Sequence, residues 1–192
     1  MSDALSPLIV KIMDANPHAY ETLVVGGGTP ALARELLDGV QPAQLLSTPA
    51  KAHSYAVAML AGLWLWHDGL DECHRLVQNS PDAAGASTYS FWHAIMHRRE
   101  GDFSNSKYWY ARAAGHPALQ TLTGQAGPLI NRAPADNSLL RIIANGWNPN
   151  AFVDFVESLH ENQSDARRPV AVHLQRLEWT VLWEHCVRFA AD

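Results

Sequence analysis

Apolar positions recur along this chain at spacings of three and four, and nowhere do two alternating segments flank hairpin-turn residues. The pattern predicts an all-α fold. Leu5–Ala15 reads as a short helix stopped by Asn16-Pro17, and His18–Val25 as another closed by Gly26-Gly27-Gly28. Pro30 suits the first position of a helix that Gly39 ends, and Pro42–Thr48 is a turn or short helical piece. The clearest signal follows: an apolar helix over 52–67, a turn at Asp68-Gly69, and an amphipathic helix over 70–79. After the loop 82–87 comes a helix over 88–100 with Ser87 as N-cap, a turn at Gly101-Asp102, and a helix over 104–114. Residues 118–138 contain three glycine or proline breaks and read as an irregular connection. A short helix over 138–146, a helix opened by Asn148-Pro149, and a last helix over 169–190 complete the chain. The stripe Val170, Leu174, Leu177, Val181, His185 and Phe189 of that last helix is expected to face the core.

The two central helix pairs align with each other. Gly62 and Ala94 are 32 positions apart, as are Gly69 and Gly101. A small residue followed seven positions later by a turn glycine is what close antiparallel helices need: one lets the backbones approach, the other reverses the chain. Ala94, Gly101, Phe103, Tyr110, Ala113 and Pro117 in the second pair, with Ala58, Gly62 and Gly69 in the first, resemble the tetratricopeptide (TPR) repeat. That resemblance spans 52–117 and implies TPR-like stacked antiparallel hairpins, with flanking helices capping both ends. The expected organisation is one domain over 1–192, with a core at 52–117, a connection at 118–138 and capping helices at 139–192. The string HAIMHRREGDFSNSKYWYARAAGHP (93–117) is also similar to an uncharacterised microbial family, which implies no activity.

Composition narrows the function classes. The chain has 192 residues, 47% hydrophobic and 17% charged, with a net charge of −5. Lysine occurs only at Lys11, Lys51 and Lys107, and no basic stripe exists, so nucleic acid is not an expected partner. The longest apolar run, Tyr55–Trp66, is too short to span a bilayer, and the acidic start does not read as a signal peptide. Cys73 and Cys186 form no pair or framework and read as reduced thiols of a cytoplasmic protein.

The chemistry-bearing residues are the ten histidines and seven tryptophans. His93 and His97, four apart, leave one face of a helix, Glu100 lies a turn further on, and His74 sits on the preceding helix. Three neutral imidazoles and a carboxylate suit Zn²⁺, Ni²⁺ or Fe²⁺ with a coordination position open to water. The competing account is structural: packed histidines that hydrogen-bond buried carbonyls or carboxylates. Asp102, Asn105, Tyr108 and Trp109, with Arg98, form a second candidate, a polar and aromatic recognition patch, against helix capping with half-buried rings. Gly26, Gly28 and Ala31 have dinucleotide-fingerprint spacing, but no strand precedes them and no parallel-sheet pattern follows, so they read as a turn. Glu178 is a further candidate for a metal shell. His185 and Cys186 are sequence neighbours about 100° apart around a helix, which denies them a catalytic pairing. Trp179 and Trp183 are expected in the core, or else as a stripe for self-association. Two functions follow: a binding module for a protein or peptide partner, or a metal-dependent enzyme or metal-binding protein built on His74, His93 and His97.

Overall fold

A computed structural model describes residues 4–79, 85–133 and 136–191. Ten α-helices account for most of them: α1 (Pro7–Asp14), α2 (Ala31–Leu37), α3 (His53–Trp66), α4 (Leu70–Val77), α5 (Ala86–Glu100), α6 (Phe103–Arg112), α7 (Pro117–Arg132), α8 (Asn137–Ile143), α9 (Pro149–His160) and α10 (Arg168–Ala191). No strand is formed among the described residues, only isolated bridges at Leu5–Leu46 and Ala144–Gly146. Pro42–Leu45 makes a single 3-10 turn. No helix among the described residues is long and apolar enough to cross a membrane.

Local chemistry sets many of the boundaries. Asn148 Oδ1 accepts the Ala151 N–H at 3.1 Å, so α9 starts on a capped Asn-Pro pair. Gly101 takes φ of +94° after α5, and the Asp102 N–H reaches back to the His97 carbonyl at 2.9 Å. Asp102 then caps α6 by accepting the Asn105 N–H at 3.1 Å. The α5–α6 turn is therefore two residues long, which sends α6 back along α5.

Packing follows chain order at the centre. Helix α3 packs on α4, α4 on α5 and α5 on α6, while α10 lies across both α3 and α7. Helices α3 and α5 are consequently buried around most of their circumference. Gly62 makes this possible: a Cβ there would lie 2.9 Å from Trp92 Cζ2, and the Gly62 carbonyl accepts the Trp179 indole N–H at 2.9 Å. Trp66, Trp92, Trp179 and Trp183 gather in one cluster at this crossing, with Trp66 and Trp179 centroids 4.5 Å apart. Trp179 and Trp183 are buried, so they supply core volume and no exposed stripe.

Four expectations are corrected. His18–Val25 is not a helix; it runs as turns and bends, with Tyr20 at φ +64°. Its carbonyls are used elsewhere: Gln175 donates to Tyr20 and Thr22, Arg99 to Thr22, and Arg176 to Ala19. The described part of 118–138 is not an irregular connection, since α7 runs through Arg132, while residues 134–135 lie outside the described residues. The buried α7 stripe Ala118, Leu122, Ala126 and Ile130 faces α10 at strict four-residue spacing, while Gly124 and Gly127 meet nothing within 4 Å. Pro128 inside α7 withholds a hydrogen bond only from the Gly124 turn, which is exposed. Ser87 lies inside α5, and Gly85 holds its N-cap position; the start of the loop 82–87 lies outside the described residues.

The fourth concerns α10. Leu174 and Val181 of the expected stripe are buried, but the fully buried face is Ala171, Leu174, Gln175, Glu178, Trp179, Leu182, Cys186 and Ala190, whereas Phe189 is exposed and Val170, Leu177 and His185 are half-buried. Gln175 and Glu178 sit in that face because α5 offers them partners. Arg99 Nη1 donates to Gln175 Oε1 at 3.2 Å, and Arg98 Nη2 lies 2.5 Å from Glu178 Oε2. The latter contact is an ion pair without good hydrogen-bond alignment, since neither atom has a well-aimed partner. Tyr110 closes it, accepting from Arg98 Nη1 and donating to Glu178 Oε1, each at 2.7 Å.

Candidate metal centre

Three helices build the site. Helix α4 contributes His74, α5 contributes His93, His97 and Glu100, and α6 contributes Asn105 and Trp109. One ring nitrogen from each of His74, His93 and His97 falls within 4.8 Å of the other two. His93 and His97 stack with centroids 4.8 Å apart, and His74 meets their edges at 4.7 and 5.7 Å. The Trp109 ring stacks on His93 at 3.8 Å.

The hydrogen bonds determine the tautomer of His97. Its Nδ1 lies 3.0 Å from Glu100 Oε2, an acceptor-only carboxylate, so Nδ1 carries the proton. Nε2 is left with a lone pair, and the Asn105 amide nitrogen lies against the same ring, 3.0 Å from Nε2 and 3.5 Å from Nδ1. His93 differs. It is only 2% exposed, yet neither ring nitrogen has a hydrogen-bond partner among the described residues. Burial, then the neighbouring His97 and His74 rings, push its pKa down to about 3. His97 is lowered too, by burial first, with Glu100 opposing. Both rings are therefore neutral at pH 7, the form whose lone pair can bind a cation.

A cleft of about 270 Å³ opens onto the cluster, lined by Asp71, His74, Arg75, Met96, His97 and Glu100 among others. His74 and His97 thus border the cleft, while His93 is buried behind them. Tetrahedral zinc with nitrogens at about 2.0–2.1 Å needs donors about 3.4 Å apart, so the widest pair closes by about 1.4 Å on loading. Rotation of the half-buried His74 about its side-chain bonds provides movement of that size.

Glu100 stands outside the three-nitrogen group and acts on His97 instead, orienting the ring as carboxylates behind metal-bound histidines do. Glu178 is not near the cluster's polar face; it is committed to Arg98 and Tyr110. Arg98 is completely buried and cannot rim a surface patch. Burial opposes its charge, and Glu178 and Tyr110 more than restore it. Of the remaining patch residues, Asp102 is the cap of α6, Asn105 turns inward to His97, and Trp109 is half-buried against His93. Tyr108 is 55% exposed, with the Arg112 guanidinium 5.9 Å from its ring. The glycines at 26–28 form a turn beside Asp68 and Thr29, with no strand before them. Cys186 is buried, its thiol pushed up by burial, and His185 faces Tyr55, His116 and Phe189 rather than the sulfur.

The pairings of Asn105 with His97 and Trp109 with His93 had a signal in the chain: each pair is symmetric about Gly101, four and eight positions away on either side. A tight hairpin turned at Gly101 must bring them face to face. A second histidine pair had none. His116 Nδ1 accepts the Ala118 N–H, so its Nε2–H donates to Thr88 at 3.0 Å, and its ring lies 4.4 Å from that of His185.

Fold and site together define an all-helical chain with three histidines converging beneath an open cleft. No family model matches the chain, and no curated protein or solved structure matches it either.

Proposed function

We propose that the chain is a metal-binding helical protein, with His74, His93 and His97 holding one divalent transition ion such as Zn²⁺, Ni²⁺ or Fe²⁺. The observation that carries this reading is His93, a buried imidazole with both nitrogens unpartnered and two more histidine nitrogens within reach. Leaving a buried polar group unpaired costs about 1–3 kcal/mol, and a cation removes that cost at one nitrogen. Glu100 supports the assignment by directing the lone pair of His97 at Nε2. Three nitrogen ligands leave coordination room toward the cleft, where a bound water would be acidified and a small polar substrate polarised. Two reduced, buried thiols fit a cytoplasmic setting.

The test is metal content of the purified protein, followed by zinc titration of the stripped protein and of His93→Ala/His97→Ala. Unit stoichiometry that disappears in the variant supports the site. A wild-type protein that takes up no metal, or a folded variant that binds it equally well, removes it.

The partner-binding alternative draws on the TPR-like succession of α3/α4 and α5/α6. A peptide laid across the first helices of those pairs would meet α10, which already covers α3 and engages Arg98 and Arg99 of α5. That reading is therefore confined to the Tyr108–Arg112 surface.

A further inference from the structure

We infer that the cavity between α7 and α10 is a second binding site, separate from the histidine centre, for a free α-amino acid with a large apolar side chain. The cavity measures about 600 Å³, is walled mainly by the start of α7 and the end of α10, and shares no lining residue with the cleft over His74 and His97. Space of this size, in a largely apolar wall with a few polar groups, is what small-ligand sites offer. The placement of those polar groups says what the ligand carries.

The formal charges on the described wall are Glu184 and Arg188. His185 adds none at pH 7, because burial first and then the Arg188 guanidinium lower its pKa. Glu184 and Arg188 are four residues apart on α10, acid before base, the order that favours an ion pair along a helix. Yet Glu184, although half-buried, enters no ion pair among the described residues. The two side chains instead line the cavity one helical turn apart and present it with opposite charges. An α-amino acid carries the complementary pair on one carbon. Its ammonium donates to the Glu184 carboxylate, and its carboxylate accepts from the forked N–H groups of Arg188. A guanidinium has five such donors, so its other contacts leave room for this one. A ligand with a single charge would satisfy one of these side chains and meet the like charge of the other.

The rest of the wall selects the side chain of the ligand. Ala118 and Val181 are buried and apolar, and Phe189 is 41% exposed. The Phe189 ring is held in place: Tyr55 stacks on it with centroids 5.2 Å apart, and the His185 ring lies 4.6 Å away. An aromatic or branched aliphatic side chain laid against this fixed ring covers apolar surface that the fold leaves open.

The experiment is equilibrium dialysis of the full-length protein against radiolabelled L-phenylalanine, with unlabelled phenethylamine and 3-phenylpropionate as competitors. The first competitor lacks the carboxylate and the second lacks the ammonium. Saturable binding is expected, with either competitor at least tenfold weaker than phenylalanine because each leaves one wall charge unpaired. Glu184→Gln and Arg188→Gln are each expected to weaken phenylalanine binding at least tenfold, and Val181→Trp, which fills the cavity, to abolish it. Far-UV circular dichroism checks that each variant is folded. His93→Ala/His97→Ala is expected to bind phenylalanine as wild type does, so the result stands or falls apart from the metal-binding reading. Absence of saturable binding overturns the inference. So does binding that survives in both charge variants, that either competitor displaces as well as phenylalanine itself, or that is lost with the two histidines.

Discussion

Glu178→Ala is the substitution that should hurt this fold most for the fewest atoms removed. Glu178 and Arg98 are both fully inaccessible, joined at 2.5 Å, and Tyr110 bridges the other oxygen and nitrogen at 2.7 Å each. Truncation deletes the one carboxylate paired with Arg98 among the described residues. The guanidinium is left with the Tyr110 hydroxyl and the face of Phe152, 4.5 Å away. Breaking a buried ion pair from one side costs about 3–5 kcal/mol, because the surviving charge remains desolvated. Against a typical total of about 5–15 kcal/mol, that is a large share of the stability. Urea unfolding followed by circular dichroism should show the midpoint falling by about 2 M for an ordinary slope. The paired replacement Arg98→Met/Glu178→Leu removes both charges, and apolar substitutes of similar volume are often neutral, so most of the loss should return. A cost under about 1 kcal/mol for Glu178→Ala, or a double variant no better than the single, would refute the account of α10 as anchored through this pair.

Other consequences can be checked separately. Gly62→Ala gains about 1 kcal/mol of helix propensity but drives a Cβ to 2.9 Å from the buried Trp92, an overpacking cost of about 1–3 kcal/mol. The melting temperature should drop by a few degrees, and a rise would contradict the close α3–α5 approach. His116 is held near a pKa of about 3 by burial and by His185. The unfolded chain therefore takes up a proton below its ordinary value of 6.5 that the folded chain refuses, so stability falls as pH drops from 6.5 toward 3. The slope approaches about 1.4 kcal/mol per pH unit from this group, and His116→Gln should flatten it; an unchanged pH profile would deny the burial. Zinc at a hundred times its dissociation constant should raise the unfolding free energy by about 2.7 kcal/mol, reversibly on chelation and not in His93→Ala/His97→Ala. An equal shift in that variant would place the ion elsewhere.

Much of this architecture is legible in the chain, because the relevant physics is local. Proline and asparagine at helix starts, glycine at Gly39 and Gly101, and the period of the apolar residues act within a few positions, and they set the all-α class and most boundaries. The four-residue step from His93 to His97 likewise places two rings on one face without help from any tertiary contact. What the tertiary structure alone decided concerns polar groups that find partners far along the chain. His18–Val25 has a helical pattern, yet it stays unwound because its carbonyls serve Arg99, Gln175 and Arg176. The α10 face is displaced from its apolar stripe because Arg98 and Arg99 draw Glu178 and Gln175 inward. Helix α7 survives two glycines and a proline because its opposite face is buried on α10. His74 and Asn105 join the histidine pair only when α4 and α6 close on α5. Backbone preferences are settled by near neighbours, whereas a buried donor or charge has no resting place until the element that satisfies it arrives.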